Sequence, residues 1–320
     1  MKKHSRVSLL ATLVVTAAVW SGCSSRPRIV LRIAQQTPDV QQSALLQADA
    51  GVIAARMKRL FAEQSPRARK GGPVVTVVQD RITVTNCGGI DSARLRYLLT
   101  APGVLEFHLE APIETTVSVV RRIDSCLTST GSTRTGPSVL RELLTSAHGH
   151  YAVAESTYPV LREKLSRVDT TMLGGYEVVF GPSETHGDSL IRGLYVLRRV
   201  PELSTVDGKL IDTATVRWFT SPVESSLVID FRLTRKTNSR YNPVARFAEV
   251  TERSINRRLA IVLGSVVLSD PAIRARIPDG SCMIMTNDAN AQRAHDMANV
   301  IASGALAAPL VVEKMEYVSR

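Results

Sequence analysis

His148 and His150 form the only His-x-His in the chain. Two imidazoles at this spacing can hold one zinc ion if a third donor arrives from elsewhere, and Glu184 and His186 are the candidate third ligands. The neighbouring residues are polar, so the competing reading is a solvated loop, and the composition favours it. Ser, His and Asp are all present, but no Gly-x-Ser-x-Gly elbow presents a serine for attack. Gly88-Gly89 and Gly174-Gly175 lack a phosphate-loop context and read as turns. No Cys-x-x-Cys occurs, which leaves a zinc ribbon or thioredoxin-type site unsupported. No catalytic, metal-binding or cofactor-binding residue is assigned, no cofactor is expected, and the chain is not expected to be an enzyme. A hydrolase or metal-binding protein using the His148/His150 loop remains the second alternative.

A different chemistry is written at the N-terminus. Lys2, Lys3 and Arg6 precede a short apolar run, Val7 to Val19, and then small residues; residues 1–22 read as a signal peptide. Trp20-Ser21-Gly22-Cys23 has the form of a lipobox, with Cys23 the residue that would carry lipid, although Trp20 stands where Leu is usual. An uncleaved membrane anchor and cleavage without lipid are the competing readings. The apolar run falls short of the roughly 20 residues a spanning helix needs. No later stretch is long and apolar enough to span a bilayer, so a lipid would be the membrane anchor.

The 320 residues are 44% hydrophobic and 22% charged, ordinary values for a chain with a packed core. The net charge is +11, and losing Lys2, Lys3 and Arg6 with the leader lowers it to +8. Such a surface suits anionic lipid, acidic polymer or nucleic acid, and an export signal removes nucleic acid as a partner. The pairs Arg121-Arg122, Arg198-Arg199 and Arg257-Arg258 could line a groove for anions, with exposed strand and helix faces as the plainer explanation. Of the four cysteines, Cys87, Cys126 and Cys282 remain if Cys23 is lipidated. Cys87 with Cys126 is the pair expected if a disulfide forms, since Cys282 lies in a run that reads as a buried strand.

These residues must be positioned by regular elements. Ile29 to Ile33 reads as a strand, and residues 45 to 63 as an amphipathic helix with Leu46, Ala50, Ile53, Met57, Leu60 and Phe61 on one face and Arg56, Lys58 and Arg59 largely off it. Val74 to Val78 and Ile82 to Thr85 form a hairpin, Asp91 caps a helix that Gly103 closes, and Leu105 to Leu109 is a further strand. Strand, helix, hairpin, helix, strand is a split βαβ, ferredoxin-like order. Residues 116 to 190 are hard to read: Thr128 to Ser138 and Gly181 to Asp188 are expected loops, while Val139 to Leu144 and Tyr158 to Leu165 have helical spacing. Strands follow at Leu194 to Leu197 and Leu227 to Leu233. Asn242-Pro243 starts a helix carrying Phe247, Val250 and Ile255 and ending near Arg258. Gly264-Ser265 joins Leu259–Leu263 to Val266–Leu268 as a hairpin. Ser281 to Thr286 is a strand, Asn287 or Asp288 caps a last helix ending at Gly304, and Pro309 to Met315 is the final strand.

Several of these stretches resemble the large periplasmic domain of SecD, the auxiliary subunit of the bacterial protein translocase. Phe247-Ala248-Glu249-Val250-Thr251, Arg258 to Leu263, Val267 to Pro271 and above all Ala302-Ser303-Gly304-Ala305-Leu306-Ala307-Ala308-Pro309-Leu310 are similar to its head subdomain and the strand after it. Leu210 to Ala214 looks like the segment that opens the head, and residues 45 to 63, Gly72 to Asp91 and Leu98 to Leu109 look like its base. The family's Leu-Asp-Leu-x-Gly-Gly motif is lost at Val30 to Gln35, its head-hairpin Asp-Gly is Gly264-Ser265, and the first Pro of its closing run is Ala307. The family's transmembrane helices have no counterpart, so proton-driven pulling does not carry over.

The resemblance implies an α+β fold: a ferredoxin-like split βαβ base with an inserted α+β head subdomain. The expected division is a signal peptide (1–22), a lipidated tether (23–28), a base (29–115), a divergent connector (116–190), a head (191–306) and a closing base strand (307–320). It implies an envelope lipoprotein that assists protein translocation or export by binding unfolded or translocating polypeptide, or by docking on the Sec translocase. A scaffold lipoprotein without a transport role is the first alternative. An apolar cleft between base and head is the expected place for polypeptide; Phe247, Val250 and Met285 could contribute there or belong to the core. The expected location is the periplasmic side of the envelope. Ser24 and Ser25 give no Asp-type retention signal, which favours the outer membrane.

Overall fold

In the computed structural model the described residues are 26–34, 39–62, 72–129, 138–147, 150–200, 203, 210–220, 225–235, 242–286 and 290–318. The leader, Cys23, His148 and the proposed caps Asn287 and Asp288 lie outside them. A strand and a hairpin open the fold: β1 (Arg26–Ile33), β2 (Val74–Val78) and β3 (Arg81–Thr85), with α1 (Asp39–Ala62) between β1 and β2 and α2 (Ser92–Thr100) after β3. Asp91 caps α2 by accepting hydrogen bonds from the amides of Ala93 and Arg94. β1 buries alternate residues Ile29, Leu31 and Ile33 against Leu46, Ile53, Met57 and Leu60 of α1 and Leu95, Leu98 and Leu99 of α2.

The strand that completes this sheet is β14 (Leu310–Val318), in the antiparallel order β14-β1-β3-β2. The strand at residues 105 to 109, which the sequence order places in the base, goes elsewhere as β4 (Leu105–Glu110). Its apolar face, Leu105, Phe107 and Leu109, is claimed by a second core.

Everything between α2 and β14 is thus an insertion into the split βαβ base. It continues with α3 (Ile113–Ser129), α4 (Val139–Leu143), β5 (Leu144–Ala147), β6 (His150–Ala154), α5 (Tyr158–Leu165), β7 (Tyr176–His186) and β8 (Ser189–Arg199). The head proper follows with β9 (Ile211–Thr220), β10 (Ser225–Leu233), α6 (Pro243–Arg253), β11 (Leu259–Leu263), β12 (Val266–Ser269), β13 (Ser281–Thr286) and α7 (Ala291–Ser303). Strands β13-β10-β9 make a three-stranded sheet. Its core holds Ile229 and Phe231, Phe247 and Val250 of α6, Ala298 and Ile301 of α7, and the apolar face of β4. The remaining strands form a sheet of order β4-β11-β12-β7-β8-β6-β5, and β4 also pairs with β8. That pairing closes β4, β11, β12, β7 and β8 into a five-stranded ring.

Several expectations change. The polar run 181–188 is not a loop. β7 and β8 extend through most of it as an 11-residue hairpin, each turn-side pair satisfying the other's backbone. The helix from Asn242 ends at Arg253 and leaves Ile255 exposed; Asn290, not Asn287 or Asp288, caps α7. Cys87 is buried in the base core and Cys126 lies on α3 beside Met172, so the expected disulfide is not formed. Among the described residues no helix is long and apolar enough to cross a membrane.

Arg56 is the largest correction. The amphipathic pattern sets it off the apolar face of α1, yet it is fully buried. Its guanidinium donates to the carbonyls of Leu98 (2.9 Å) and Ala101 (2.7 Å) at the end of α2 and of Gly304 (3.0 Å) at the end of α7. Helix C-termini leave carbonyls without intrahelical partners, and a cation there also meets the negative end of the helix dipole. Gly103, at φ +71°, must be glycine: a Cβ would come within 2.6 Å of both Arg56 Nη2 and the Gly304 carbonyl oxygen. Asn299 donates back to the Arg56 carbonyl at 2.9 Å, and Asp49 accepts from the amide of Ala307. Substituting Arg56→Met leaves three buried carbonyls unpaired and is expected to cost about 3 kcal/mol or more. Arg56→Lys recovers little of this, because an ammonium cannot reproduce the fork. Urea unfolding of the variants checks both, and a loss below about 1 kcal/mol for Arg56→Met contradicts the assignment.

Candidate functional site

The five-stranded ring has an interior that the sequence does not advertise. Strand alternation sets Glu106, His108 and Glu110 on the face of β4 opposite Leu105, Phe107 and Leu109. His108 stands across from Ala260 of β11 and Arg199 of β8, and Glu110 from Leu197. Val179, Leu197, Ala260, Val262 and Val267 form the apolar part of the interior, with Tyr195 against them. Into this small core the ring admits four carboxylates, two arginines and two histidines.

The two histidines are held alike. His108 is 1% exposed; its Nδ1 lies 2.7 Å from Glu177 and its Nε2 3.7 Å from Glu106, which also meets Arg199 at 3.6 Å. The His108 contacts are ion pairs whose N–H directions are not aligned as hydrogen bonds. His150 places Nδ1 3.0 Å from Glu110 and Nε2 3.8 Å from Asp270, with its ring 5.2 Å from that of Tyr195. Arg258 then bridges the same two carboxylates, at 3.1 Å from Glu110 and 2.6 Å from Asp270. Burial pushes the His108 pKa down, and the two carboxylates more than reverse this, to about 9. The His150 pKa is raised, chiefly by its hydrogen bond to Glu110. Glu177 is held below the usual carboxylate range by His108, and burial raises Asp270 despite Arg258. The four carboxylates face Arg199, Arg258 and two imidazoles whose pKa values are both raised.

Glu110, His150 and Asp270 offer donor atoms within 4.8 Å of one another, the spacing of a metal site. The same atoms are also paired with one another and with Arg258. Glu110 and Asp270 face opposite nitrogens of one imidazole, and a metal bonds through only one of them. The guanidinium of Arg258 already spans the carboxylates. His150 Nδ1 is within hydrogen-bond reach of Glu110, while Nε2 faces Asp270 at 3.8 Å, beyond it.

The sequence-derived candidates fall out as follows. His150 begins β6 and is largely buried, so it is not in a solvated loop. His186 sits opposite Ser189 at the tip of the β7–β8 hairpin, whereas Tyr151 is opposite Leu194. Their separation along β8 is roughly 17 Å at about 3.4 Å per residue, so His186 cannot share a ligand with His150. Glu184 pairs with Ile191, part-way along the same hairpin. Arg199 and Arg258 are exposed, as the reading of the basic pairs has them, and each also meets carboxylates of the ring. Phe247 and Val250 are core, while Met285 is 37% exposed.

A second surface bears on polypeptide binding. Among the described residues β9 pairs with β10 alone, leaving its other edge open. Trp218 on β9 is 61% exposed. On the sheet face away from the head core the register aligns Arg217 and Met285 on either side of Val228, which is fully buried, with Phe219 and Met283 on the same face. Arg217 lies 5.9 Å over the Phe219 ring and pairs with Asp230. An unpaired backbone edge with an exposed aromatic on it can accept an extended chain; Met283 and Met285 lie on β13, at the other side of the sheet.

The ring makes stability depend on pH in a definite direction. His108 has a folded pKa above its unfolded value near 6.5, so its contribution is complete below that value and is lost as pH rises through about 9. The unfolding midpoint of the wild-type chain is expected to fall between pH 6.5 and 9.5, and His108→Gln is expected to remove most of that slope. Thermal unfolding of both chains across the interval measures it; parallel curves contradict a charged His108.

Comparison with known proteins agrees with this architecture. Residues 192–308 match the family described as SecDF, P1 head subdomain. Protein translocase subunit SecD of Desulfurispirillum indicum is 45% identical over 64 residues, 20% of this chain and 12% of that protein. SecD of Aquifex aeolicus is 42% identical over 65 residues, 20% of this chain and 13% of that protein. The chain thus matches only a small part of the length of these relatives. A crystal structure of SecDF in its super-membrane-facing form shares the fold over 91% of this chain and 30% of that one, with a TM-score of 0.51 and 20% identity. Residues 192–308 are therefore similar to the SecDF P1 head subdomain, and the α+β fold of the chain is like that of SecDF.

Proposed function

We propose that this chain assists protein translocation or export from the periplasmic side of the membrane, as a binding module for extended polypeptide. The observation that carries this reading is the edge of β9 that no described strand pairs with, with Trp218 exposed on it, inside the segment that matches the P1 head. Polypeptide adds to the β9 edge through main-chain hydrogen bonds, and Trp218 packs against its side chains. The Sec translocase is the partner on which the domain docks. The lost Leu-Asp-Leu-x-Gly-Gly motif at Val30 to Gln35 favours a second reading, a scaffold that kept the fold without a transport role.

Fluorescence anisotropy with a labelled, permanently unfolded polypeptide, and its folded form as control, tests the reading. Saturable binding to the unfolded form alone is expected, weakened about tenfold by Trp218→Ala, the loss of one aromatic anchor. Absence of binding at tens of micromolar, about the weak limit of specific contacts, leaves docking or the scaffold role.

The anchor is a separate part of the reading: Cys23 carries diacylglycerol and an acyl chain and holds the domain at the membrane. The outer membrane is the proposed site. Cys23→Ser is expected to move the chain from the membrane fraction to the soluble one and to remove the lipid mass from its N-terminal peptide. Unchanged fractionation counts against the anchor.

A further inference from the structure

One face of α3 has no part in the core. Thr116, Val119, Val120 and Ile123 are buried, while Glu114, Val117, Ser118, Arg121, Arg122, Ser125 and Cys126 recur at three- and four-residue steps on the other side. These line a groove of about 690 Å³ whose far wall is the segment after α5, with Arg167, Val168, Asp169 and Met172. That volume is within the usual range of ligand sites, about 300–1,000 Å³. At 1.5 Å per residue the α3 wall runs for about 18 Å.

The charges along the groove do not cancel. Asp169 is occupied in capping the turn Thr170–Leu173, where it accepts from the Thr171 amide at 2.9 Å. Glu114 lies in the first turn of α3, where the helix dipole favours it. Arg167 pairs with Glu163. Arg121 and Arg122 have no carboxylate partner among the described residues. The floor between them and Arg167 is apolar, from Val117, Val168 and Met172. Both walls are formed by helix and turn, so no strand edge is offered there, and the main-chain addition that suits polypeptide at β9 is unavailable.

We propose that this groove binds an anionic phospholipid at a membrane surface. The phosphate meets the guanidinium groups of Arg121 and Arg122, which match it as planar bidentate donors, and the first methylenes of an acyl chain lie on Val117, Val168 and Met172. The site is independent of β9 and of Cys23, and its occupation sets how the domain lies on the bilayer.

Cys126 lines the same groove and reports on it. The full-length chain is mixed with phosphatidylcholine vesicles with or without phosphatidylglycerol, and alkylation of Cys126 by a charged maleimide is followed by peptide mass spectrometry. Phosphatidylglycerol is expected to slow the reaction about fivefold or more, with no slowing on phosphatidylcholine alone. The double variant Arg121→Glu, Arg122→Glu is expected to react at the lipid-free rate. Arg121→Gln with Arg122→Gln, which keeps the helix and removes only charge, is expected to lose most of the protection and decides the matter if the reversed variant does not fold. Equal slowing by phosphatidylcholine, or protection that survives both variants, overturns the proposal. Slowing reproduced by millimolar inorganic phosphate assigns the groove to free anions and overturns the lipid.

Discussion

β4 has to serve two incompatible environments at once. Its odd-numbered residues, Leu105, Phe107 and Leu109, enter the apolar core of the head, where Phe107 packs edge-on to Phe247 with ring centroids 5.1 Å apart. Its even-numbered residues, Glu106, His108 and Glu110, enter the ring, where only counter-charges make burial tolerable. A slip of one residue would exchange the two faces, sending three ionisable side chains into the head core. The register of β4 is therefore fixed from both sides, and β8 and β11, which pair with it, inherit that register.

Charge pairing explains why the interior can be so polar. A small apolar cluster, Val179, Leu197, Ala260, Val262 and Val267, occupies part of the interior, and the buried His108 meets carboxylates whose arginine partners reach solvent. Removing charges from water is expensive, and mutual attraction repays it only when every charge has its partner. Glu106, Glu110, Glu177 and Asp270 have theirs in Arg199, Arg258 and the two imidazoles. The network also ties three stretches of chain: β4 from the start of the insertion, His150 from its middle, and Asp270 and Arg258 from the head.

The base and the second half of the head were legible because their residues obey simple periods. Asp91, Asn242 and the hairpin at Gly264-Ser265 are local signals, and the structure places each where the sequence does. α3 was not legible: Ile113, Thr115, Thr116, Val117, Val119, Val120 and Ile123 are β-branched, and only packing on β8 and α4 makes the segment helical. The polar end of β7 was misread because a two-stranded ribbon in solvent needs no apolar alternation. The ring cluster was invisible for a plainer reason. His150 drew notice beside His148, but its partners Glu110 and Asp270 come from distant parts of the chain, and only the fold brings them together. Arg56 failed the helical pattern because its purpose is to bind main chain, which no side-chain pattern records.

The neck held by Arg56 has a mechanical meaning. The insertion leaves the base at residues 101–104 and returns at 304–307, and these two crossings are its covalent links to the base. They are stapled to each other by the Leu306 amide on the Pro102 carbonyl at 2.8 Å and by the contact of Gly103 with Gly304. Tension on the head would reach the base through these threads and through α7, whose Asp296 is held by Arg94 of α2 and whose Val300 enters the base core. Because Arg56 grips both threads, load arriving along them passes to α1 as a whole rather than peeling β14 from β1 one hydrogen bond at a time.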